Sequence, residues 1–358
     1  MQFGPCATVD RNALRHNLAQ VRRCAPTSRV MAVVKANAYG HGIVPVAKAL
    51  ISADAFGVAR LGEALALREA GLGNPIVLLE GVFSVEELAA AAEHGLELVV
   101  HSFEQLDMLD AWQPTRRLHV WFKLDTGMNR LGFRLEHFGE AWARLTRSTA
   151  VAARPRLMTH LASADETTTA YTGGQIRRFR ELADDIGLER SIANSAGLLA
   201  WPEARLEWVR PGLALYGISP FDDRWASDLG LQPAMTLATQ LIAIRDVKAG
   251  ETVGYGGAWR AERDTRVGIA AIGYGDGYPR HAVNGTPVRV RDKLVQLIGR
   301  VSMDMIALDL SAMSDAAVGD PVVLWGEGLP AEDVANYAST IPYELVCAVN
   351  QRVAMEYK

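Results

Sequence analysis

The overall composition is that of a globular enzyme large enough for two domains. Of the 358 residues, 49% are hydrophobic and 22% are charged, and the net charge of −4 argues against a nucleic-acid partner. The three cysteines are far apart, which argues against a disulfide framework and a zinc cluster, so we expect no metal and a reducing compartment. Because no segment resembles a signal peptide or reaches membrane-spanning length, we expect a cytoplasmic protein without membrane contacts.

The first 230 residues alternate short apolar strands with helices. An acidic cap at Asp10 precedes an amphipathic helix from about residue 12, and later helices are predicted at 61–70 and, behind Ser84, at 85–93. About eight strands separated by helices are typical of an α/β fold, a parallel (β/α)8 barrel of the TIM type, and a doubly wound open sheet is the alternative. The predicted strands are 30–34, 55–59, 75–79, 98–100, 118–122, 156–160, 191–193, and Val209 with 212–215.

Polar side chains recur where several of these strands end. The carboxyl ends of parallel barrel strands open onto one mouth, so such residues would converge there, and this favours the barrel over the open sheet. The residues concerned are Lys35, Asp125, His160, Asn194 with Ser195, and Arg210.

Residues 231–358 follow a different pattern. Short β-rich segments are mostly separated by Gly, Pro, Asn or Asp turns, and helix signals are sparse until 331–339. This pattern predicts a second, mainly antiparallel β domain, with the barrel domain covering residues 1–230. The predicted strands are 237–247, 265–273, 287–290, 294–298, 306–310 and 321–325.

The segment 30–42 carries the strongest chemical signal. Apolar residues run into Lys35 and a glycine-punctuated loop follows, so the pattern predicts a buried strand that presents an amine at its carboxyl end. Burying an ammonium group is costly unless the group is paired or neutral. Two interpretations stay open: a lysine that extends to solvent, or an amine that binds an aldehyde cofactor, most simply pyridoxal phosphate.

Several motifs together resemble the alanine racemases, which are pyridoxal-phosphate enzymes of fold type III. The resemblance implies a barrel followed by a β domain. It also implies exchange of the Cα proton between L-alanine and D-alanine, which supplies or consumes D-alanine for peptidoglycan. In chain order the motifs are AVVKANAYGHG (32–42), KLDTGMNRLGF (123–133), THLASAD (159–165), NSAG (194–197), VRPGLALYG (209–217), VGYGG (253–257), GYGDGYPR (273–280) and GRVSMDM (299–305).

The resemblance assigns the cofactor to residues at the barrel mouth. Lys35 would hold the aldehyde as a Schiff base and then act as a base at Cα, and Arg210 would face the pyridine nitrogen and oppose its protonation. A ring in that state is a weaker electron sink, which suits proton exchange and disfavours transamination. The other implied contacts are Tyr39, Ser195, Gly212 and Leu213 at the phosphate, His160 against the ring, and Asn194 beside the cofactor.

The resemblance also implies substrate contacts and a site shared between two subunits. Tyr255 matches the second base, which a partner subunit in a homodimer would supply to the opposite face of the substrate. Arg130 and Met303 match the contacts of the substrate carboxylate, and Lys123 matches a lysine that is often carbamylated. The residues that match a narrow entryway are Tyr274, Tyr343 and Asp304.

The chain departs from the family near its C-terminus. Many relatives carry a tyrosine directly before the last motif arginine, whereas this chain has Gln351 before Arg352, so that contact is absent or made by Gln351. A pyridoxal-phosphate-dependent amino-acid decarboxylase of the same fold and a cofactor carrier without turnover are the alternatives. The range of accepted amino acids and the direction of D-alanine metabolism stay open.

Overall fold

Residues 29–209 contain a closed barrel of eight parallel strands, as predicted. The computed structural model describes residues 4–113 and 116–358. Consecutive barrel strands are neighbours, and the last pairs with the first, with Trp208 beside Arg29. After a first strand, β1 (Cys6–Val9), the barrel strands are β2 (Arg29–Val33), β3 (Ala55–Val58), β4 (Ile76–Leu78), β5 (Glu97–Val100), β6 (Val120–Lys123), β7 (Arg156–Met158), β8 (Arg190–Ser191) and β9 (Trp208–Val209).

Helices connect the barrel strands, and several begin at side chains that accept their free N–H groups. The Asp10 carboxylate accepts from Asn12 N–H at 2.8 Å, and the Ser84 hydroxyl accepts from Glu87 N–H at 3.2 Å, which confirms both predicted caps. The helices are α1 (Arg11–Cys24), α2 (Lys35–Tyr39), α3 (Ile43–Ala49), α4 (Leu61–Glu69), α5 (Val85–Glu93), α6 (Phe103–Ala111), α7 (Phe138–Arg147), α8 (Ala170–Ala183) and α9 (Ser195–Ala200).

The barrel strands are buried on both faces. One face packs in a separate hydrophobic cluster inside the barrel, and the other packs against the surrounding helices. Because neither face meets water, the strands are nearly continuous apolar runs, which is the reason the sequence pattern locates them. The interior cluster consists of Met31, Ala55, Val77, Val99, Trp121, Met158 and Trp208.

The second domain is an eight-stranded, mainly antiparallel sheet, as predicted. Its strands besides β1 are β10 (Met235–Val247), β13 (Thr265–Ala270), β14 (Pro287–Val290), β15 (Lys293–Ile298), β16 (Ile306–Asp309), β17 (Pro321–Trp325) and β18 (Ala354–Tyr357), while β11 (Thr252–Val253) and β12 (Trp259–Arg260) form a separate hairpin. Two helices, α10 (Ala331–Tyr337) and α11 (Pro342–Ala348), precede β18. Across the described parts of the chain, no helix is long and apolar enough to cross a membrane.

The N-terminal strand β1 belongs to the second sheet. It pairs antiparallel with β10 and parallel with β18, so one sheet contains both ends of the described chain. These partners are more than 200 residues apart in sequence from β1, and no local pattern indicates such a pairing. The division predicted between residues 230 and 231 stays a prediction.

One predicted strand segment is wrong. Residues 212–215 were expected to extend a barrel strand, but Leu213–Tyr216 form a 3-10 turn. The N–H groups of Gly212 and Ala214 donate to the Ser195 hydroxyl at 2.9 and 3.2 Å instead of joining a strand. An apolar run of this length does not distinguish a buried strand from a buried turn.

Candidate active site

Lys35 lies where β2 turns out of the barrel. The strand ends at Val33, and Lys35 begins α2, whose next four residues all have φ between 52° and 54°. This left-handed conformation is unfavourable for residues with a Cβ, and a run of four is rare. The Lys35 side chain is half-buried. The sharp turn leaves it at the carboxyl end of its strand, where the sequence predicted it.

A small polar cradle lies beside this turn. The Ser195 hydroxyl faces the N–H groups of Gly212 and Ala214, and the buried Tyr39 reaches the same point. A Cβ on Gly212 would lie 2.4 Å from the Tyr39 hydroxyl oxygen, so only glycine leaves this space open. Gly212 directly precedes the 3-10 turn that begins at Leu213 and contains Ala214. The predicted phosphate contacts are therefore brought together at the loops after the last two barrel strands.

Arg210 is a fixed, buried cation. Its guanidinium donates to the Ser191 hydroxyl and to the Thr159 carbonyl, both at 2.6 Å. None of the ion pairs formed by the described residues includes Arg210. Burial lowers the pKa of Arg210 to about 10, so the group still carries its charge at neutral pH.

His160 is held next to this arginine in its neutral form. Its Nδ1 lies 3.3 Å from Arg210 Nη2. Burial, and then the positive charge of Arg210, lower the pKa of His160 well below the usual value. Since the guanidinium can only donate, Nδ1 accepts and the ring proton sits on Nε2. The histidine thus presents a neutral ring beside a permanent charge.

Lys123 is a second buried cation at the mouth. Burial, followed by the charges of Arg210, Arg130 and Lys35, lowers the pKa of Lys123 to about 8, and only Asp125 acts in the opposite sense. Within the described residues Lys123 forms no ion pair. Arg130 itself is exposed. The mouth therefore concentrates positive charge, as anionic ligands require.

The loop that carries Arg130 is tied to the neighbouring strand end. The Thr126 and Thr159 hydroxyls lie 2.9 Å apart, and Arg178 Nε donates to the Thr126 carbonyl at 2.9 Å. The fully buried Gln175 donates to the His160 carbonyl at 3.1 Å. Helix α8, which bears Gln175 and Arg178, thus holds two of the predicted site segments together.

Two further predicted residues lie at the barrel mouth in different roles. Asn194 caps α9 by accepting the Gly197 N–H at 2.9 Å, which is a structural role that its side chain performs without a ligand. Tyr343 lies on α11 with its ring 5.8 Å from that of Tyr39, and burial raises the pKa of Tyr343 to about 12. The structure therefore places Tyr343 next to the cradle on its own chain.

Four predicted residues lie on the surface of the second domain. Tyr255, Tyr274 and Met303 are 68%, 41% and 51% exposed. Tyr274 N–H donates to the Ser302 carbonyl at 3.0 Å, and Asp304 pairs with Arg352 at 2.6 Å. These contacts all lie within the second domain. Gln351, the point of departure from the family, is exposed beside Arg352 in the same region.

Sequence reasoning missed several residues around Lys35. Cys347 on α11 is close enough that the Lys35 charge opposes a rise in the pKa of its thiol, although burial still raises that pKa. The fully buried Tyr216 and His41 pack ring against ring at 4.6 Å behind Tyr39. The Glu63 carboxylate accepts the Ala36 N–H at 2.6 Å. The motifs contain His41 and Tyr216, but nothing local shows what they touch.

Comparisons with known proteins identify the family. Residues 9–220 match the family model for the alanine racemase N-terminal domain, and residues 234–357 match that for the C-terminal domain. Relatives described as alanine racemase include one from Nitrosococcus oceani, 54% identical over 349 residues, and one from Aeromonas hydrophila subsp. hydrophila, 52% identical over 351, each match covering 98% of both chains. The crystal structure of biosynthetic alanine racemase from Pseudomonas aeruginosa has a TM-score of 0.97 and 46% identity over 100% of both chains. The chain belongs to the alanine racemase family.

Proposed function

We propose that this chain interconverts L-alanine and D-alanine with pyridoxal 5′-phosphate, the cofactor of its family, bound at Lys35. The observation that carries the proposal is the state of Arg210, which is buried, fixed by neutral acceptors and, among the described residues, free of any carboxylate partner. An arginine toward the ring nitrogen opposes ring protonation, which favours reversible proton exchange at Cα over reactions that need a strong electron sink.

The residues at the mouth fit a phosphorylated aldehyde. Ser195 and the N–H groups of Gly212 and Leu213 would bind the phosphate, and the missing Cβ of Gly212 keeps the space beside Tyr39 open. His160, in its neutral form, would pack against the ring, with Asn194 beside it. The positive charges of the mouth offset those of the phosphate and of the substrate carboxylate.

The chain supplies one acid–base group for each face of the substrate Cα. When bound, the cofactor withdraws electrons from the substrate and makes its Cα–H acidic. We assign Lys35 and Tyr255 to opposite faces of the substrate Cα. On one face the basic form, the Lys35 amine or the Tyr255 phenolate, would remove the Cα proton, and on the other face the protonated form of the second group, the Tyr255 phenol or the Lys35 ammonium, would deliver a proton. Arg130 would bind the substrate carboxylate, with the backbone N–H of Met303 as a second donor. Tyr274, Asp304 and Tyr343 would narrow the entrance.

We further propose a homodimer in which each barrel is completed by the second domain of the partner. Tyr255, Tyr274 and Met303 are exposed large side chains on one domain, a composition typical of a protein interface. The second domain of the partner would supply these residues to the barrel site. The three free cysteines suit the cytoplasm, where the enzyme would supply or consume D-alanine for peptidoglycan.

Exchange of the substrate proton with solvent tests the reaction. L-alanine in heavy water should gain deuterium at Cα and yield D-alanine at a comparable rate, as chiral chromatography with mass detection would show. Loss of carbon dioxide instead would indicate a decarboxylase, and binding of the cofactor with no exchange would indicate a carrier. Borohydride treatment should abolish the visible absorbance and attach the cofactor to Lys35, as peptide mapping would show.

A further inference from the structure

Three successive barrel helices begin with the same cap. The third residue of each helix turns its side chain back to accept a backbone N–H that precedes the helix, which satisfies a donor that would otherwise lack a partner. In α4 Glu63 Oε2 accepts from Ala59 and Arg60 at 2.8 and 3.1 Å, in α5 Glu87 Oε2 accepts from Phe83 at 2.8 Å, and in α6 Gln105 Oε1 accepts from His101 at 2.8 Å. The presence of Gln105 shows that this cap needs only one acceptor oxygen.

Glu63 differs from the other two because its second oxygen is also used. Glu63 Oε1 accepts the N–H of Ala36 at 2.6 Å. Ala36 follows Lys35 directly and is the first residue of the left-handed run in α2. One carboxylate therefore joins the start of α4 to the peptide that leaves the lysine.

The left-handed run needs contacts from outside itself. Left-handed backbone is unfavourable for Ala36 and Tyr39, so the conformation persists only where its surroundings hold it. On the inner side, the Tyr216 hydroxyl donates to the Val33 carbonyl at 3.0 Å, and its ring packs 4.7 Å from that of Tyr39. On the side that faces α4, the Glu63 carboxylate contacts the run by accepting the Ala36 N–H.

We propose that Glu63 is a positioning residue for the cofactor lysine. By holding the Ala36 N–H with a charged acceptor, it fixes the backbone after Lys35 in the left-handed turn and so keeps the amine at the barrel mouth. Glu63 acts through the backbone and is assigned no contact with substrate. The inference rests on the proposed function, since it takes Lys35 as the cofactor residue.

The test is a glutamine substitution with a matched control. Glutamine has one acceptor oxygen, so Glu63→Gln must leave either the Ala36 N–H or the α4 cap without a partner. We expect equilibrium dialysis of the holoenzyme, followed by visible absorbance, to give a pyridoxal phosphate dissociation constant about ten-fold higher, the effect of losing one charge-assisted hydrogen bond. Glu87→Gln makes the same change in the neighbouring cap and should stay within about two-fold of the unmodified protein.

A second variant separates positioning from general damage to the helix. Ala36→Gly removes the penalty for left-handed backbone, so the double variant Glu63→Gln/Ala36→Gly should recover part of the lost affinity. Equal dissociation constants for Glu63→Gln and Glu87→Gln, or a double variant as weak as Glu63→Gln, would overturn the inference. Failure of the unmodified protein to bind the cofactor at Lys35 would instead refute the proposed function.

Discussion

Two residues at the barrel mouth carry buried positive charge that no carboxylate within ion-pair distance offsets among the described residues. Lys123 and Arg210 are both buried, and neither has an ion-pair partner among the described residues. Such an arrangement is unfavourable in an empty protein and becomes favourable when anions bind. The positive charge of the site thus favours a ligand that carries a phosphate and a carboxylate.

Reversing the charge of Arg210 should change which reaction the enzyme performs. In Arg210→Glu an acidic partner would stabilise a protonated ring, and the stronger electron sink should raise the ratio of transamination to racemisation on the order of ten-fold or more. Pyruvate and D-alanine formed from L-alanine measure that ratio. Arg177→Glu, the same reversal at an exposed helix position, is the control, and an unchanged ratio in Arg210→Glu would contradict the assignment.

Lys123 should react with carbon dioxide because part of it is neutral. With a pKa of about 8, roughly a tenth of the lysine is uncharged at pH 7, far more than at the ordinary value of 10.5. Carbon-13 bicarbonate should give a carbamate signal that is lost in Lys123→Met and weakens as the pH falls. The carbamate would orient Arg130, so the variant should also show a raised KM for alanine. If the carbon-13 spectrum of the unmodified protein is identical to that of Lys123→Met, the modification is excluded.

At the scale of secondary structure, the two ends of the barrel strands differ in role. At the amino ends, five charged and aromatic side chains form a cluster that we call the floor. In it Arg156 pairs with Glu97 and Glu189, both at 2.8 Å, and lies over the rings of Trp121 and Trp208. The carboxyl ends carry the predicted site. Residues at the closed end stabilise the barrel, which leaves the mouth free for chemistry.

The floor should contribute stability that acid removes. Burial alone would raise the pKa of Glu189, but hydrogen bonds from Trp208 and Arg156 bring the pKa below the ordinary 4.5, so its contribution is complete above that pH and lost as the pH falls through the lower value. Glu189→Gln should lower the unfolding free energy by about 1 kcal/mol at pH 7, since the side chain is partly exposed, and by less near pH 3.

Urea unfolding followed by tryptophan fluorescence, at a fixed protein concentration, measures this difference. Glu181→Gln removes one partner of an exposed helical pair with Arg177 and should change stability little. Alanine turnover at pH 8 should be unaffected by Glu189→Gln, because the floor lies at the opposite end of the barrel from Lys35. If the unfolding free energies of Glu189→Gln and the unmodified protein differ by the same amount at every pH, that result would argue against ionic stabilisation.

At the scale of the whole molecule, the predicted site is divided between two surfaces. The barrel mouth holds Lys35 and the polar cradle around Ser195, and the second domain presents Tyr255 to solvent. A head-to-tail pair of chains would bring these surfaces together twice.

A mixture of two inactive variants tests this division. Lys35→Ala and Tyr255→Phe should each lose most racemase activity, yet a mixed dimer would contain one site with both residues intact. Co-expression in equal amounts should therefore restore about one quarter of normal activity, since half of the dimers are mixed and each has one intact site of two. As the control, the two variants are purified separately, mixed and assayed at a concentration below the dissociation constant of the dimer, where no recovery is expected. No recovery on co-expression would mean that the site lies within one chain.

Local patterns were sufficient for most of the fold. The barrel strands are apolar runs because they are covered on both faces, and the caps at Asp10 and Ser84 depend on neighbouring residues alone. The motifs likewise led to Lys35 and Arg210. Residues 212–215 show the limit, because a buried turn and a buried strand have the same apolar content.

Contacts between distant residues account for the rest. The pairing of β1 with β10 and β18 spans most of the chain, and the second oxygen of Glu63 reaches Ala36 across 27 positions. The amino-acid order thus specified the family and the two kinds of domain, and it singled out the lysine that we propose for the cofactor, since these depend on local periodicity and motif chemistry. The folded arrangement alone revealed the cation-rich mouth, the neutral His160 and the hydrogen bond from the Ala36 N–H to Glu63, because burial and hydrogen bonding arise only when separate segments pack together.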